Sequence, residues 1–359
     1  MRKRTALAAG VATAAALGGV FTTAFTSEMR KQEARVRGRS EHIPTQFGTL
    51  EYAQRGSGPP LLMIHGTGGG FDQGLTFTEG LHGFRVIAPS RFGYLGSDFP
   101  ADPSSEHQAD AFIALLDHLH IRKLVVAGGS AGALSAAQFA LRHPDRTSAL
   151  VLVVPAANVS GRDPAQMSPA MEYVVRQLAT SDFLFWSGKK FARNSMIATL
   201  LATDPQLVAQ ASASEQARAN RILDEIMPVS LRSRGMLNDA KLAGNPALMD
   251  FSKISVPTLV ISVEDDGFGT ATTAREIASA VPGAKLVIYP TGGHIWVGND
   301  AALWREVNGF VRPDRPSAPR NASMRNNDWN GANSTSDRVS TSSQGWLNSG
   351  NVGDYSPKG

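Results

Sequence analysis

The sequence predicts an α/β protein in which a mostly parallel central sheet carries helices on both faces and a helical cap is inserted into the chain. Three observations predict this fold. Between residues 47 and 311, short apolar runs alternate with segments that have the 3–4 spacing of a helix face. The runs are apolar at consecutive positions, which is typical of parallel strands buried on both faces. Residues 156–250 interrupt the alternation with Met, Phe and polar helix formers and no strand-like run.

Four strands and two helices are predicted between residues 47 and 144. The strands cover residues 48–56 (GTLEYAQRG), 59–66 (PPLLMIHG), 84–90 (FRVIAPS) and 123–128 (KLVVAG). The first helix covers residues 111–121 (AFIALLDHLHI), and the second covers 133–143 (ALSAAQFALRH). Pro144 ends the second helix, because proline cannot continue one.

A further strand, residues 148–155 (SALVLVVP), leads into the interruption. After it, strands at 256–263 and 284–290 enclose a helix at 270–283, and a last helix covers 300–311. We therefore expect one core built from residues 47–155 and 251–311. Residues 156–250 are expected to form a helical cap over it.

The two ends of the chain carry its positive charge. Residues 1–40 have a net charge of +6, residues 312–359 have +2, and the part between them has −4. The globular part therefore has no basic surface to follow phosphates, which argues against nucleic acid as a partner.

The N-terminal segment predicts export or anchoring. Arg2, Lys3 and Arg4 precede an uncharged run from Thr5 to Ser27, which as a helix could span a bilayer core of roughly 30 Å. We expect residues 1–27 to be a signal peptide or a membrane anchor, with membrane association through residues 5–27, and residues 28–46 to be a linker. The globular part of the chain would then lie outside the cytoplasm. Residues 312–359 are rich in Ser, Asn, Gly and Asp without apolar periodicity, and are expected to be disordered.

A G-x-S-x-G pentapeptide, residues 128–132, lies between a predicted strand and a predicted helix. In that context the serine projects from the tip of a tight turn, and glycines two positions away avoid a collision across it. Ser130 is therefore a candidate nucleophile. The amide of Ala131 would point from the helix N-terminus toward a developing oxyanion.

A serine nucleophile needs a base and an orienting carboxylate. His294 follows an apolar strand in YPTGGHIWVGN, where a loop can bring it over the edge of the sheet. The carboxylate is expected directly after the strand in TLVISVEDDGFG. Asp266 is preferred there, while Asp265 and Glu264 remain alternatives.

A glycine-rich segment, MIHGTGGG at residues 63–70, follows another buried strand. Its backbone can approach a ligand closely, and the amide of Thr67, or that of Gly68, is a second candidate oxyanion donor. It lacks the spacing of a phosphate-binding or dinucleotide-binding loop. His65 is expected to shape this loop rather than to transfer protons.

The order of these motifs, His-Gly loop, PSRFGYLGSD, G-x-S-x-G, strand-end Asp and late Gly-Gly-His, resembles the α/β-hydrolase fold family over residues 47–311. The resemblance implies acyl transfer by Ser130, His294 and Asp266 beneath a cap. A serine nucleophile departs from the dehalogenase and epoxide-hydrolase branches. The VEDD sequence also differs from the Gly-x-x-Asp form often found at the acid.

These features predict a serine esterase acting on a small apolar ester. Phe183, Phe185, Trp186 and Gly68 are candidate substrate contacts, although aromatic residues of a cap can equally form its own core. Two alternatives stay open: the same residues acting on carbon–carbon, lactone or amide bonds or in cofactor-free peroxidase chemistry, and a ligand-binding protein on a hydrolase scaffold. The chain has no cysteine and no sequence cluster of metal ligands, so we expect no cofactor and no metal. The oligomeric state is not predicted.

Overall fold

The computed structural model describes the backbone of residues 2–157, 169–244 and 247–312 and the side chains of residues 18–157, 173–244 and 247–312. An eight-stranded sheet has the order β1-β2-β4-β3-β5-β6-β7-β8. Its strands are β1 (Glu41–Thr45), β2 (Gly48–Arg55), β3 (Pro60–Ile64), β4 (Arg85–Pro89), β5 (Leu124–Gly129), β6 (Thr147–Val153), β7 (Thr258–Val263) and β8 (Lys285–Tyr289). In this order, the neighbouring strands β4, β3, β5, β6, β7 and β8 are parallel to one another. Strand β2 pairs antiparallel with β1 and β4.

Helices cover both faces of the sheet, as the continuous apolar strands predict. They are α2 (Phe71–Phe77), α3 (Ser105–His118), α4 (Gly132–Arg142), α11 (Thr270–Ala280) and α12 (Asp300–Val311). Neighbouring residues of one strand enter opposite cores: Leu61 packs on the side of α2 and α12, and Leu62 on the side of α3, α4 and α11. Burial of each such side chain is worth about 1.5–3 kcal/mol. The short helix α2 was not predicted, because its seven residues carry too little periodicity to read.

The predicted helical insertion lies between β6 and β7. It contains α5 (Pro169–Thr180), α6 (Asp182–Phe191), α7 (Arg193–Leu200), α8 (Pro205–Gln210), α9 (Ala213–Asp224) and α10 (Ser233–Leu242). Side-chain caps begin α6, α8 and α9, with Ser181, Asp204 and Ser212 each accepting a backbone N–H. Residues 158–168 and 245–246 of the predicted cap lie outside the described residues.

The N-terminal region differs from the prediction. A helix, α1, runs over Arg2–Val36 and is followed by β1, which pairs with β2 along its whole length. The prediction of a linker over 28–46 is therefore wrong: these residues finish a helix and supply an edge strand. The EHIPT sequence of β1 was not recognised as a strand, because its apolar and polar residues do not alternate regularly and it contains Pro44. Edge strands tolerate proline.

No helix among the described residues is both long and apolar enough to cross a membrane. Apart from Arg312, the predicted disordered tail, residues 312–359, lies outside the described residues. The domain boundaries at 27 and 312 stay predictions.

The register of the parallel strands positions the functional residues. Gly129 at the end of β5 pairs with Val153 of β6, which in turn pairs with Ile261 of β7. The carboxyl ends of these strands therefore form one edge of the sheet. The loops that leave this edge carry Ser130 and the acidic residues 264–266.

Candidate active site

Ser130 lies at the tip of the tight turn between β5 and α4. Its φ of +52° is in the left-handed region, which is unfavourable for a residue with a side chain. A Cβ at Gly132 would lie 2.4 Å from the carbonyl oxygens of Ile64 and His65, and one at Gly128 would lie 2.6 Å from the carbonyl oxygen of Gly132. Close backbone approach thus requires both glycines of the motif, and the predicted strand–turn–helix arrangement is confirmed.

Hydrogen bonds hold this turn against β6 and its loop. The Ser130 amide donates to the Val153 carbonyl at 3.0 Å, and the Ser130 carbonyl accepts from the amides of Ala133 and Ala156 at 3.0 and 3.1 Å. Ala131 is the N-cap of α4, so its amide has no acceptor within the helix. The amide is therefore free to serve a ligand beside Ser130.

His294 joins the serine to an acid. Its Nε2 lies 2.9 Å from Ser130 Oγ, and its Nδ1 lies 2.8 Å from Asp266 Oδ2. The residue follows β8 in a loop with Gly293 at φ +62°, where a Cβ would lie 2.5 Å from Thr203 Oγ1 of the cap. The structure therefore brings together the three residues that the sequence proposes, from the ends of β5, β7 and β8.

Asp266 is held as a carboxylate. Its Oδ1 accepts the Phe268 amide at 2.8 Å, and its Oδ2 accepts from the Thr270 hydroxyl as well as from His294. Burial by itself raises the pKa of Asp266. The charge and hydrogen bond of His294, with the hydrogen bonds from Thr270 and the Phe268 amide, lower the pKa by more than burial raises it. The pKa of Asp266 therefore lies below its ordinary value. An anionic acceptor at Nδ1 requires the tautomer with Nδ1–H, which leaves Nε2 to accept from Ser130.

The two alternative acids have other partners. Asp265 accepts the amides of Gly293 and Gly292 at 2.7 and 3.2 Å, and so braces the loop that carries His294. Glu264 forms an exposed ion pair with Arg275. Of the three acids in the VEDD segment, Asp266 is the one that accepts the hydrogen bond from the His294 imidazole.

The glycine-rich loop borders Ser130. A Cβ at Gly66 would lie 3.1 Å from the Ser130 Cβ. The amides of Gly66, Gly68 and Gly69 donate to protein acceptors at 3.1, 3.3 and 3.3 Å. Thr67 is exposed, and its amide has no acceptor among the described hydrogen bonds. Of the two predicted donors, the Thr67 amide is the one available to a ligand.

The remaining glycines of this loop make room for protein side chains. A Cβ at Gly68 (φ +77°) would lie 3.2 Å from Ile226, and one at Gly70 would lie 2.6 Å from the guanidinium of Arg232. Both neighbours belong to the cap region. The expectation that these glycines admit a ligand is therefore incomplete, because part of their role is to let the cap pack on the loop.

His65 shapes the loop, as predicted. Its Nε2 accepts the Arg91 amide at 2.9 Å, so its Nδ1 carries the proton and donates to the Gly66 carbonyl at 2.7 Å. Complete burial and the charge of Arg91 hold the pKa of His65 well below its ordinary value. A neutral imidazole with both nitrogens occupied is unsuited to proton transfer.

The aromatic residues predicted to contact substrate pack mainly within and beside the cap. The rings of Phe183 and Trp186 lie 5.5 and 5.6 Å from Phe25 of α1, and Phe185 is fully buried in the core shared by the cap and sheet. Their described ring contacts do not reach Ser130 or His294. A role in substrate binding stays a prediction for all three.

Two contacts to His294 were missed by sequence reasoning. The Phe268 ring lies edge-on, 4.8 Å from the imidazole, and its side chain is 43% exposed. The Ala202 carbonyl, in the cap, accepts the Gly267 amide at 3.0 Å and the His294 amide at 3.4 Å. Phe268 could have been noticed from its position two residues after Asp266, whereas no local signal marks Ala202.

The part of the chain with described side chains contains no group of three or more His, Asp or Glu residues arranged to hold a metal ion.

Comparison with known proteins agrees with this geometry. A family model described as the alpha/beta hydrolase fold matches residues 59–299. A 2-hydroxy-6-oxononadienedioate/2-hydroxy-6-oxononatrienedioate hydrolase of Paraburkholderia xenovorans is 29% identical over 277 residues, covering 73% of this chain and 88% of that protein. Lipase 1 of Psychrobacter immobilis is 26% identical over 254 residues, covering 68% and 75% of the two chains.

A solved structure is also similar. The alpha/beta hydrolase fold protein from Nakamurella multipartita superposes with a TM-score of 0.63 at 26% identity, over 76% of this chain and 99% of that one. The chain belongs to the α/β-hydrolase fold family, and it is a hydrolase whose relatives include proteins named as a lipase and as a 2-hydroxy-6-oxononadienedioate hydrolase.

Proposed function

We propose that the protein is a serine hydrolase that cleaves a carboxylic ester with an apolar acyl or aryl group. One observation carries this proposal: His294 bridges Ser130 Oγ and Asp266 through its two ring nitrogens, at 2.9 and 2.8 Å. These distances lie within the range expected for a nucleophile, a base and an orienting acid.

The reaction proceeds through an acyl-enzyme. As Ser130 Oγ bonds to the substrate carbonyl carbon, its proton passes to His294 Nε2. The imidazolium then donates that proton to the leaving alcohol oxygen as the carbon–oxygen bond breaks. A water molecule gives a proton to the same nitrogen while it attacks the acyl carbon, and the acid leaves as Ser130 recovers its proton.

The amides of Thr67 and Ala131 are proposed to bind the oxyanion. Both lack an acceptor among the described hydrogen bonds, and both lie in segments that flank Ser130. Preorganised donors of this kind are worth roughly 3–4 kcal/mol each in related chemistry. Asp266 stabilises the imidazolium that forms, because its pKa is low enough to keep it charged.

An apolar substrate is supported by the surroundings of the imidazole. Phe268 presents a partly exposed ring beside His294, and Ile226 of the cap region packs on Gly68 of the oxyanion loop. Similarity to a protein named a lipase supports the same substrate class.

Carbon–carbon bond hydrolysis is the second candidate. It is supported by similarity to a protein named as a 2-hydroxy-6-oxononadienedioate hydrolase, which covers 88% of that relative. A panel of p-nitrophenyl esters from C2 to C12, run beside the substrate in that relative's name, separates the two. A kcat/KM at least about 100-fold higher for the best ester supports the esterase, and the reverse order supports carbon–carbon cleavage.

The serine chemistry is tested by a fluorophosphonate probe, which bonds covalently to an activated serine. We expect wild type to be labelled and Ser130→Ala to be unlabelled, with Ser135→Ala, a buried serine one turn further along α4, labelled like wild type. An unlabelled wild type, or equal labelling of Ser130→Ala, would contradict the assignment of Ser130 as the nucleophile.

We also propose that residues 5–27 direct the protein to the membrane or through it. The support is the uncharged run itself, two exposed apolar side chains within it, Val20 and Phe21, and the exposed Phe191 of α6, whose ring lies 6.0 Å from that of Phe21. Cell fractionation with N-terminal sequencing tests this. An intact N-terminus in the cytoplasmic soluble fraction would contradict it.

A further inference from the structure

Asp72 joins three parts of the chain next to the glycine-rich loop. It lies in the first turn of α2, two residues after Gly70, and its side chain is 8% exposed. Its Oδ2 accepts from Arg35 of α1, and Arg232 of the cap region donates to Oδ1 at 3.2 Å and to Oδ2 at 2.8 Å. Burial raises the pKa of Asp72, but the two arginines lower it to about 2.

Arg232 connects this carboxylate to the loop itself. Its side chain is fully buried, and its Nη1 also donates to the Gly69 carbonyl. The same nitrogen would lie 2.6 Å from a Cβ at Gly70. The guanidinium thus lies against two consecutive residues of the loop that carries the Thr67 amide.

Arg35 also reaches the loop by a second route. Its Nη2 donates to the carbonyls of Glu225 and Met227 at 3.1 and 2.7 Å. These residues flank Ile226, whose side chain packs on Gly68. One guanidinium therefore holds both the carboxylate that orients Arg232 and the backbone that orients Ile226.

A cluster of this kind is poorly explained by stability alone. Apolar residues that fill the same volume are often as stabilising as a buried Arg–Asp–Arg arrangement, because the charges lose their hydration. A cluster does hold its neighbours in fixed directions, since each guanidinium donates in a rigid plane. An oxyanion donor needs such a direction, because its N–H must point at the transition-state oxygen.

We propose that Arg35 is a positioning residue for the oxyanion loop: through Asp72 and Arg232 on one side and the 225–227 backbone on the other, it sets the direction of the Thr67 amide. Arg35 belongs to the N-terminal helix and lies outside the span 59–299 that matches the family model. Its catalytic consequence rests on the proposed function.

The test uses the full chain with Arg35→Ala and, as a matched control in the turn directly after the same helix, Arg37→Ala, whose side chain is 81% exposed. At a temperature well below the unfolding transition of both variants, we expect Arg35→Ala to lower kcat for a p-nitrophenyl ester about tenfold with KM nearly unchanged. That loss is smaller than the roughly 10²–10³ seen when an oxyanion donor is removed, because the Thr67 amide remains present but less well directed. Arg37→Ala should behave as wild type.

Chemical rescue distinguishes positioning from folding. The Arg35 side chain is 23% exposed, so the space left by Arg35→Ala is open to solvent. Guanidinium chloride at millimolar concentration, far below denaturing levels, should restore kcat at least threefold, whereas potassium chloride at equal ionic strength should not. Unchanged kcat in Arg35→Ala, a change in KM alone, or equal response to the two salts would overturn the proposal.

Hydrogen exchange supplies a readout that does not depend on activity. The amides of Gly66, Gly68 and Gly69 are hydrogen-bonded, so a peptide over residues 64–71 should exchange at least tenfold faster in Arg35→Ala, with β7 unchanged. Unchanged exchange in that peptide refutes the positioning role even if wild type is an active esterase. Faster exchange in a chain that the fluorophosphonate probe does not label retains the positioning role and rejects the proposed function.

Discussion

Asp265 and Asp266 are adjacent carboxylates that the fold uses differently. Asp266 points to the imidazole and accepts from it, whereas Asp265 accepts two backbone amides of the loop that carries His294. One orients the ring directly, and the other orients the chain on which the ring is mounted. Their separate partners make the pair a matched test of the proposed triad.

At the scale of the residue, Asp266→Asn should lower kcat by about 10⁴-fold, because an amide at this position favours the wrong imidazole tautomer. Asp265→Asn should lower kcat by no more than about tenfold, since one oxygen still accepts a loop amide. Steady-state kinetics on one p-nitrophenyl ester measure both. Similar losses in the two variants would contradict the assignment of Asp266 as the acid.

The turn between β5 and α4 shows why the motif needs glycine at the element scale. Gly132 brings the start of α4 into contact with the backbone that ends β3, where a Cβ would lie 2.4 Å from two carbonyl oxygens. Backbone in the middle of a sheet has little freedom to move away. For Gly129, the last residue of β5, the atoms nearest to a Cβ would belong to the Met63 and Phe77 side chains, at 3.7 Å or more.

Gly132→Ala should therefore lower the free energy of unfolding by about 2–3 kcal/mol and reduce fluorophosphonate labelling, because α4 or β3 must shift. Gly129→Ala places its methyl group at ordinary contact distance and should change stability by less than about 1 kcal/mol. Urea denaturation followed by fluorescence measures both variants. Equal destabilisation would show that close approach to β3 is not what requires Gly132.

For the molecule as a whole, Glu225 links stability to pH. It is buried, accepts from the Thr76 hydroxyl at 2.9 Å, and faces Asp72, Arg35 and Arg221. Burial and the Asp72 charge raise its pKa from 4.5 to about 7. The folded state therefore binds this proton more tightly than the unfolded state, and stability falls as pH rises from about 4.5 through 7.

Glu225→Gln should remove this loss of folding stability at high pH. At pH 9 we expect the variant to be more stable than wild type by on the order of 3 kcal/mol, while at pH 4 the two should be nearly equal. Urea midpoints at pH 4, 7 and 9 check this, with the difference between variant and wild type isolating this one group.

Glu215→Gln, in the first turn of the helix that Glu225 caps at its C-terminus, is the opposing control for Glu225→Gln. Burial raises the pKa of Glu215, but its bonds to Arg218 and the Gly298 amide lower it below the ordinary value. Its substitution should therefore reduce stability at pH 7. A variant of Glu225 with the same pH dependence as wild type would contradict the shifted titration.

The sequence by itself determined the alternation of strands and helices, the cap insertion, and the pairing of Ser130 with His294. Each of these depends on local information: apolar periodicity within ten or twenty residues, or a motif whose spacing a single turn explains. Strands that are apolar on both faces can only be buried between two helical layers. The chain order of serine, acid and histidine then limits which loops meet at the edge of the sheet.

Only the tertiary structure showed that Asp266, and not Asp265, contacts the His294 imidazole, that β1 takes the place of a linker, and that Phe183 and Trp186 pack beside α1. It also joined Arg35, Asp72 and Arg232, which lie 37 and 160 residues apart along the chain. No periodicity connects positions so distant. Which of two neighbouring carboxylates reaches an imidazole depends on differences of a few ångströms in loop direction, and these follow from packing rather than from composition.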